Sequence, residues 1–131
     1  MEVAIPAGRL GVHYWLNGLR RNVERLGLSL AKRMYVGYET LKGPELLALG
    51  YLDHMVPFAD LKAATDRYAD RVAGLAPLAV QGMKRALNQI ARGKVDEKLV
   101  KETIRVCMAS EDAKEGPRAF AEKRKPVFHG R

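Results

Sequence analysis

The stretch Pro44-Glu-Leu-Leu-Ala-Leu-Gly-Tyr-Leu-Asp-His-Met-Val-Pro57 decides how this chain of 131 residues is read. Pro44 suits the first position of a helix, where a missing N–H costs nothing. Leu46, Leu47 and Leu49 give that helix an apolar side, and Gly50 stops it as a left-handed cap. Tyr51 to Val56 then reads as a strand, ended by Pro57. So short a helix and strand cannot bury themselves. The strand needs a neighbour for its N–H and C=O groups, and the extreme N-terminus is the one place that offers one.

Upstream, Val3 to Leu10 reads as a short strand running into a turn at Pro6, Ala7 and Gly8. Gly11 to Gly18 is an aromatic-rich loop holding His13, Tyr14 and Trp15. Leu16, Leu19, Val23 and Leu26 recur at helical spacing, with Arg20, Arg21, Glu24 and Arg25 opposite, and Gly27 ends that helix. Ser29 caps the next one, whose stripe is Leu30, Met34 and Tyr35, and Tyr38 to Leu41 is extended.

Downstream, the chain is strongly helical. Asp60–Ala73 sets Leu61, Thr65, Tyr68 and Val72 on one face. Leu78–Ala91 is expected to bury Val80, Met83, Leu87 and Ile90. Asp96 opens a helix reaching Ala109. Ser110 starts a last helical region, interrupted at Gly116-Pro117 and resumed from Arg118 to Lys125. The expected fold is mainly α, with six or seven helices and one or two short strands.

Hydrophobic residues make up 47% of the chain, so it is not a disordered tail. The net charge of +8 favours an anionic partner or a merely basic, solvated surface. Aromatics at 7% weaken a base-stacking mode for single-stranded nucleic acid. The single cysteine, Cys107, sits in the helical pattern of Val100, Thr103, Ile104 and Met108 and reads as a buried structural thiol. A lone thiol suits a reducing compartment, and the cytoplasm is the expected location. No run is long and apolar enough for a membrane span, and Met1–Pro6 lacks the pattern of a signal peptide.

No metal-ligand spacing joins His13, His54 and His129, no glycine-rich phosphate loop occurs, and no catalytic triad motif is present. His54, beside Asp53, reads as a structural histidine. The loop of His13, Tyr14 and Trp15 gathers polar and aromatic groups, either for packing or for chemistry. Lys123-Arg124-Lys125 either holds phosphates or stays solvated.

The order of these segments resembles the C-terminal half of the enoyl-CoA hydratase/isomerase (crotonase) family. Ile5-Pro6-Ala7-Gly8-Arg9-Leu10-Gly11 is similar to its Pro-Glu-x-x-Leu-Gly segment. Gly18-Leu-Arg-Arg with Val23-Glu-Arg-Leu-Gly27 resembles the helix after its glycine-rich turn, and Ala31–Gly37 a following helix. Ala48–Pro57 resembles its Ala-x-x-x-Gly-Leu-Val-x-x-Val-Val-Pro. Ser110–Gly116 with Ala119-Phe-Ala-Glu-Lys-Arg-Lys-Pro126 is the most specific piece.

The resemblance implies a partial crotonase-fold domain over 1–131. Residues 1–57 would be the end of the core, with short strands and helices, and 58–131 a C-terminal helical oligomerisation region. It implies acyl-CoA substrates, no covalently bound cofactor, no metal, no nucleic acid and a homo-oligomer, trimeric or hexameric in the full-length parent. It also implies that the N-terminal spiral sheet, the oxyanion hole and the first catalytic glutamate lie outside these residues. The chain is then expected to be a C-terminal part, inactive alone.

Ala7 stands where the family has its second glutamate, so the parent is not expected to be a simple hydratase. His13 and Tyr14 are candidate catalytic groups. Phe120 and Lys123 match positions that reach the CoA of a neighbouring subunit, Lys123 at a phosphate. The competing reading is an independent basic helical module that binds nucleic acid or another acidic partner.

Overall fold

Leu30, Met34, Leu41 and Leu46 come from three separate elements and meet as one buried cluster. Met34 and Leu46 are fully buried and Leu41 nearly so. In a computed structural model describing residues 1–131, they sit in the first of two compact units, Met1–Phe58 and Ala59–Arg131.

The first unit contains β1 (Glu2–Val3), α1 (Leu16–Tyr35), β2 (Leu41–Lys42) and α2 (Gly43–Ala48). β1 and β2 are antiparallel, with Glu2 opposite Lys42 and Val3 opposite Leu41. The N-terminus thus does pair, but with residues 41–42. Tyr51–Val56 forms no strand, and the reason lies in α2. Gly50 takes φ 74°, which turns the chain back over the helix end. The Tyr51 and Leu52 N–H groups then both donate to the Leu46 carbonyl, at 2.8 and 3.1 Å. With those donors used as a C-terminal cap, no ladder is needed. Pro44 does lie in the first turn of α2, and the Glu45 carboxylate accepts the Lys42 N–H at 3.0 Å.

α1 covers both helices expected on either side of Gly27. The chain breaks there, with φ 73° and ψ 166°, and resumes as a helix. Tyr38 is not extended, having φ 52°. The Arg9 guanidinium stacks 5.3 Å from the centre of its ring.

A 3-10 turn at Phe58–Asp60 spans the division, and the second unit holds α3 (Leu61–Ala73), α4 (Pro77–Ala91), α5 (Glu97–Ala109) and α6 (Glu111–Ala121). The Asp96 carboxylate caps α5 by accepting the Leu99 N–H at 2.9 Å. α4 meets α5 through small residues rather than through the expected bulky stripe. A Cβ placed on Gly82 would lie 2.7 Å from Thr103 Cγ2, so any side chain there would force Thr103 to move. Leu87 and Ile90 consequently face away, each about 60% exposed, while Met83, equally exposed, stands at the edge of the gap between the two helices. Leu61, Tyr68 and Val72 of α3 are also uncovered.

α6 runs unbroken through Gly116 and Pro117 and ends at Ala121, so Lys123–Lys125 lies beyond the helix. An internal proline removes one helical hydrogen bond. The buried face of Asp112, Glu115 and Ala119 is anchored by the tail, and the helix continues through it.

Candidate functional site

Three constellations have chemical potential, one in the first unit and two in the second. In the first unit the loop after β1 leads into an aromatic cluster. Tyr14 packs edge-on against Trp15 and Tyr35, with ring centres 5.6 and 5.1 Å apart. Asn22 Nδ2 donates to the Tyr35 hydroxyl at 2.8 Å and to the Gly18 carbonyl at 3.0 Å. Burial, followed by the neighbouring Tyr14 and Tyr51, raises the pKa of Tyr35. His13 is exposed and its Nδ1 lies 2.8 Å from the Tyr14 carbonyl. A carbonyl only accepts, so Nδ1 carries the proton and the lone pair of the neutral ring is on Nε2. Ala7 is buried, and its carbonyl accepts the Leu10 and Val12 N–H groups at 3.1 and 3.0 Å. That turn brings His13 and Tyr14 into the loop beside a position with no carboxylate of its own.

The second constellation is an apolar groove of about 290 Å3 between α4 and α5, lined by residues including Leu78, Met83, Leu99, Ile104 and Met108. Cys107 lines it as well and is half-buried, so it is not the sealed core thiol expected from sequence. α4's small-residue face narrows the gap between the helices, which leaves this thiol at a groove wall.

The third constellation joins α6 to the tail that follows it. Ser110 Oγ accepts the Ala113 N–H at 3.1 Å and donates to the Cys107 carbonyl at 2.6 Å, which ties the end of α5 to the start of α6. The Asp112 carboxylate accepts the His129 and Gly130 N–H groups, both at 2.8 Å. Glu115, also buried, accepts from Arg118, from both terminal nitrogens of Arg124 and from the Val127 N–H. Arg124 first, then Arg118 and the Val127 N–H, hold the Glu115 carboxyl well below the usual carboxylate range. Glu122 is the second acid on Arg124, at 2.5 Å.

That depression has a sign. The stabilisation from a lowered carboxylate pKa is present above the unfolded value, here 4.5. It is lost as pH falls through the folded value. Glu115→Gln is therefore expected to melt roughly 5 °C below the parent at pH 7. The gap should narrow progressively in melts below pH 4.5; a gap that stays constant down to pH 3 contradicts the assignment.

Between these anchors, Phe120 stands in the last turn of α6 and Lys123 in the turn that follows. Phe120 is 87% exposed. Lys123 has φ 53°, and its N–H donates to the Phe120 carbonyl at 3.2 Å. Arg118 and Arg124 are both paired to Glu115, whereas Lys123 enters no ion pair. His13 and Tyr14 stand in the first unit, and Phe120 and Lys123 in the second. Asp112, Glu115 and Arg124 escaped sequence reading as a unit. The available signal was two acids three residues apart on the face that also carries Ala119.

Residues 3–131 match the enoyl-CoA hydratase/isomerase family. The chain belongs to that family. Carnitinyl-CoA dehydratase of Proteus mirabilis is 33% identical over 135 residues, covering 98% of this chain and 51% of the relative. Methylmalonyl-CoA decarboxylase of Escherichia coli is 32% identical over 125 residues, covering 92% of this chain and 48% of the relative. The crystal structure of enoyl-CoA hydratase from Mycobacterium tuberculosis superposes with a TM-score of 0.81 at 27% identity, over 99% of this chain and 52% of that one. The chain spans about half the length of the curated relatives it matches. Its architecture is the helix-rich portion of the crotonase fold, and the only sheet within its 131 residues is the β1–β2 ladder. No helix is long and apolar enough to cross a membrane.

Proposed function

We propose that this chain is the C-terminal, helix-rich portion of an acyl-CoA enzyme, and that its own residues hold the nucleotide end of CoA. The observation that carries this reading is the end of α6 with the turn after it, in a chain that matches the family over residues 3–131. There an uncovered ring and an unpaired ammonium stand three residues apart on a rigidly anchored backbone. Phe120 offers a face for the adenine, and Lys123 a point charge for a phosphate of a neighbouring subunit's CoA. The Lys123 ammonium is free to make this contact because the arginines on either side are held by Glu115.

His13 and Tyr14 are the groups of the first unit that would face the acyl end. His13 Nε2 is its acceptor and the Tyr14 hydroxyl its polar tip. Ala7 supplies no second carboxylate, so the chemistry of the whole enzyme is not a two-carboxylate hydration. The relatives include a dehydratase and a decarboxylase, so the family scaffold carries more than one reaction. The assembly in this reading is a homo-oligomer, trimeric or hexameric, completed by the remaining half of the fold.

The local contact can be tested without an acyl group. Adenosine 3′,5′-bisphosphate titrated into the chain should shift the signals of Phe120 and Lys123. Lys123→Ala is expected to weaken that binding roughly tenfold, the size of one charge-assisted contact. An unchanged affinity in Lys123→Ala would remove Lys123 from the site.

A further inference from the structure

We propose that Glu115 is a positioning residue for the nucleotide-binding turn: its grip on Arg124 holds Lys123 in a left-handed conformation and presents Lys123 together with Phe120. This rests on the reading of Phe120 and Lys123 given above, and it concerns how they are held rather than what they touch.

The starting point is backbone strain. Lys123 has φ 53°, a region that side-chain-bearing residues avoid because Cβ crowds the following carbonyl. Such a conformation persists only where the surroundings over-determine it. Here they do so on both sides. On the helix side, the Glu122 N–H donates to the Arg118 carbonyl at 3.0 Å, and the Arg124 N–H to the Ala119 carbonyl at 3.0 Å. On the tail side, Arg124 forks onto both oxygens of Glu115, at 2.5 and 3.0 Å. Val127 N–H donates to Glu115 Oε1 at 3.0 Å. Asp112 and the Arg131 carbonyl fasten the rest of the tail to the first turn of α6. The backbone bonds hold the helix side, and one buried carboxylate fastens the chain beyond Lys123 back onto α6 while making no contact with Lys123 itself. The groups facing Glu115 are Arg118, Arg124 and the backbone of Val127; Glu122 acts on it through Arg124.

The test exploits a sign. Glu115 is an acid near the proposed phosphate contact. If it acted only through charge, removing it would tighten the binding of an anion. Positioning predicts the opposite.

In titrations with adenosine 3′,5′-bisphosphate, Glu115→Gln is expected to weaken binding about fivefold or more. Arg124→Lys keeps the charge, loses the fork and leaves Glu115 bound to Arg118; it should weaken binding to a similar degree. Both variants are checked for an unchanged helical circular dichroism spectrum. If Glu115→Gln does not fold, the charge-neutral Arg124→Lys decides alone.

Stability supplies a readout that needs no ligand. Lys123→Gly should melt about 3 °C above Lys123→Ala, because glycine alone is at ease with this φ. That advantage should shrink in the Glu115→Gln background, where the turn can relax. Tighter or unchanged binding in Glu115→Gln and Arg124→Lys, alongside weakened binding in Lys123→Ala, overturns the positioning role and leaves the site standing. Unchanged binding in Lys123→Ala overturns both.

Discussion

Crotonyl-CoA mixed with the 131-residue chain is expected to keep its enoyl absorbance. The nearest thing to an acid–base set in these residues is His13 with Tyr14, in a loop where Ala7 supplies no carboxylate. Acyl-CoA chemistry of this kind needs fixed donors at the thioester oxygen. Each such donor contributes on the order of 10²–10³-fold to turnover. His13 Nδ1 is committed to the Tyr14 carbonyl and Asn22 to Tyr35 and Gly18. These two side-chain donors are thus engaged in holding the loop and the start of α1 together. A loss of absorbance that scales with the concentration of purified chain, and that is abolished in His13→Ala, would refute the expectation and make the loop a working site.

The second large effect is on stability. Met34→Ala should destabilise the protein by about 2–5 kcal/mol in denaturant melts. Met34 is fully buried, and it shares its cluster with Leu30, Leu41 and Leu46. Strands of two residues contribute little of their own, so the cluster carries the pairing of β1 with β2. A loss under 1 kcal/mol would show that this cluster is not what holds the unit together.

Helices were legible where sequence and packing agree. Pro44 opens α2, Asp96 caps α5, Ser110 caps α6 and Gly27 breaks α1, and each of these depends only on nearby residues. The misreadings have one cause, which is that a partner was assigned from local pattern. Tyr51–Val56 has the look of a strand, but two of its donors already belong to the Leu46 carbonyl. In α4 the bulky residues were given the inner face, because apolar bulk usually marks the core. The inner face instead follows Gly82 and the space that Thr103 needs.

The α6 region shows the same limit more sharply. Gly116-Pro117 looks like a break by local rules, and the helix continues because of contacts with residues 124–130. Glu115 reaches Arg124 nine positions on and Val127 twelve positions on. No helical period contains those separations. Phe120 came only from family resemblance and Lys123 from that resemblance and the basic run Lys123-Arg124-Lys125, and nothing in their spacing pointed to Glu115 behind them.

α4 offers a last consequence, for how the sequence can vary. Its two sides obey different rules of tolerance. Toward α5 the limiting quantity is volume, so at Gly82 even a methyl group displaces Thr103 whatever its polarity. On the far side, at Leu87 and Ile90, both side chains are mostly exposed, and replacements of different size meet little within these 131 residues. A library of α4 variants sorted by folding alone would therefore read as a strict ruler along one edge and a blank along the other.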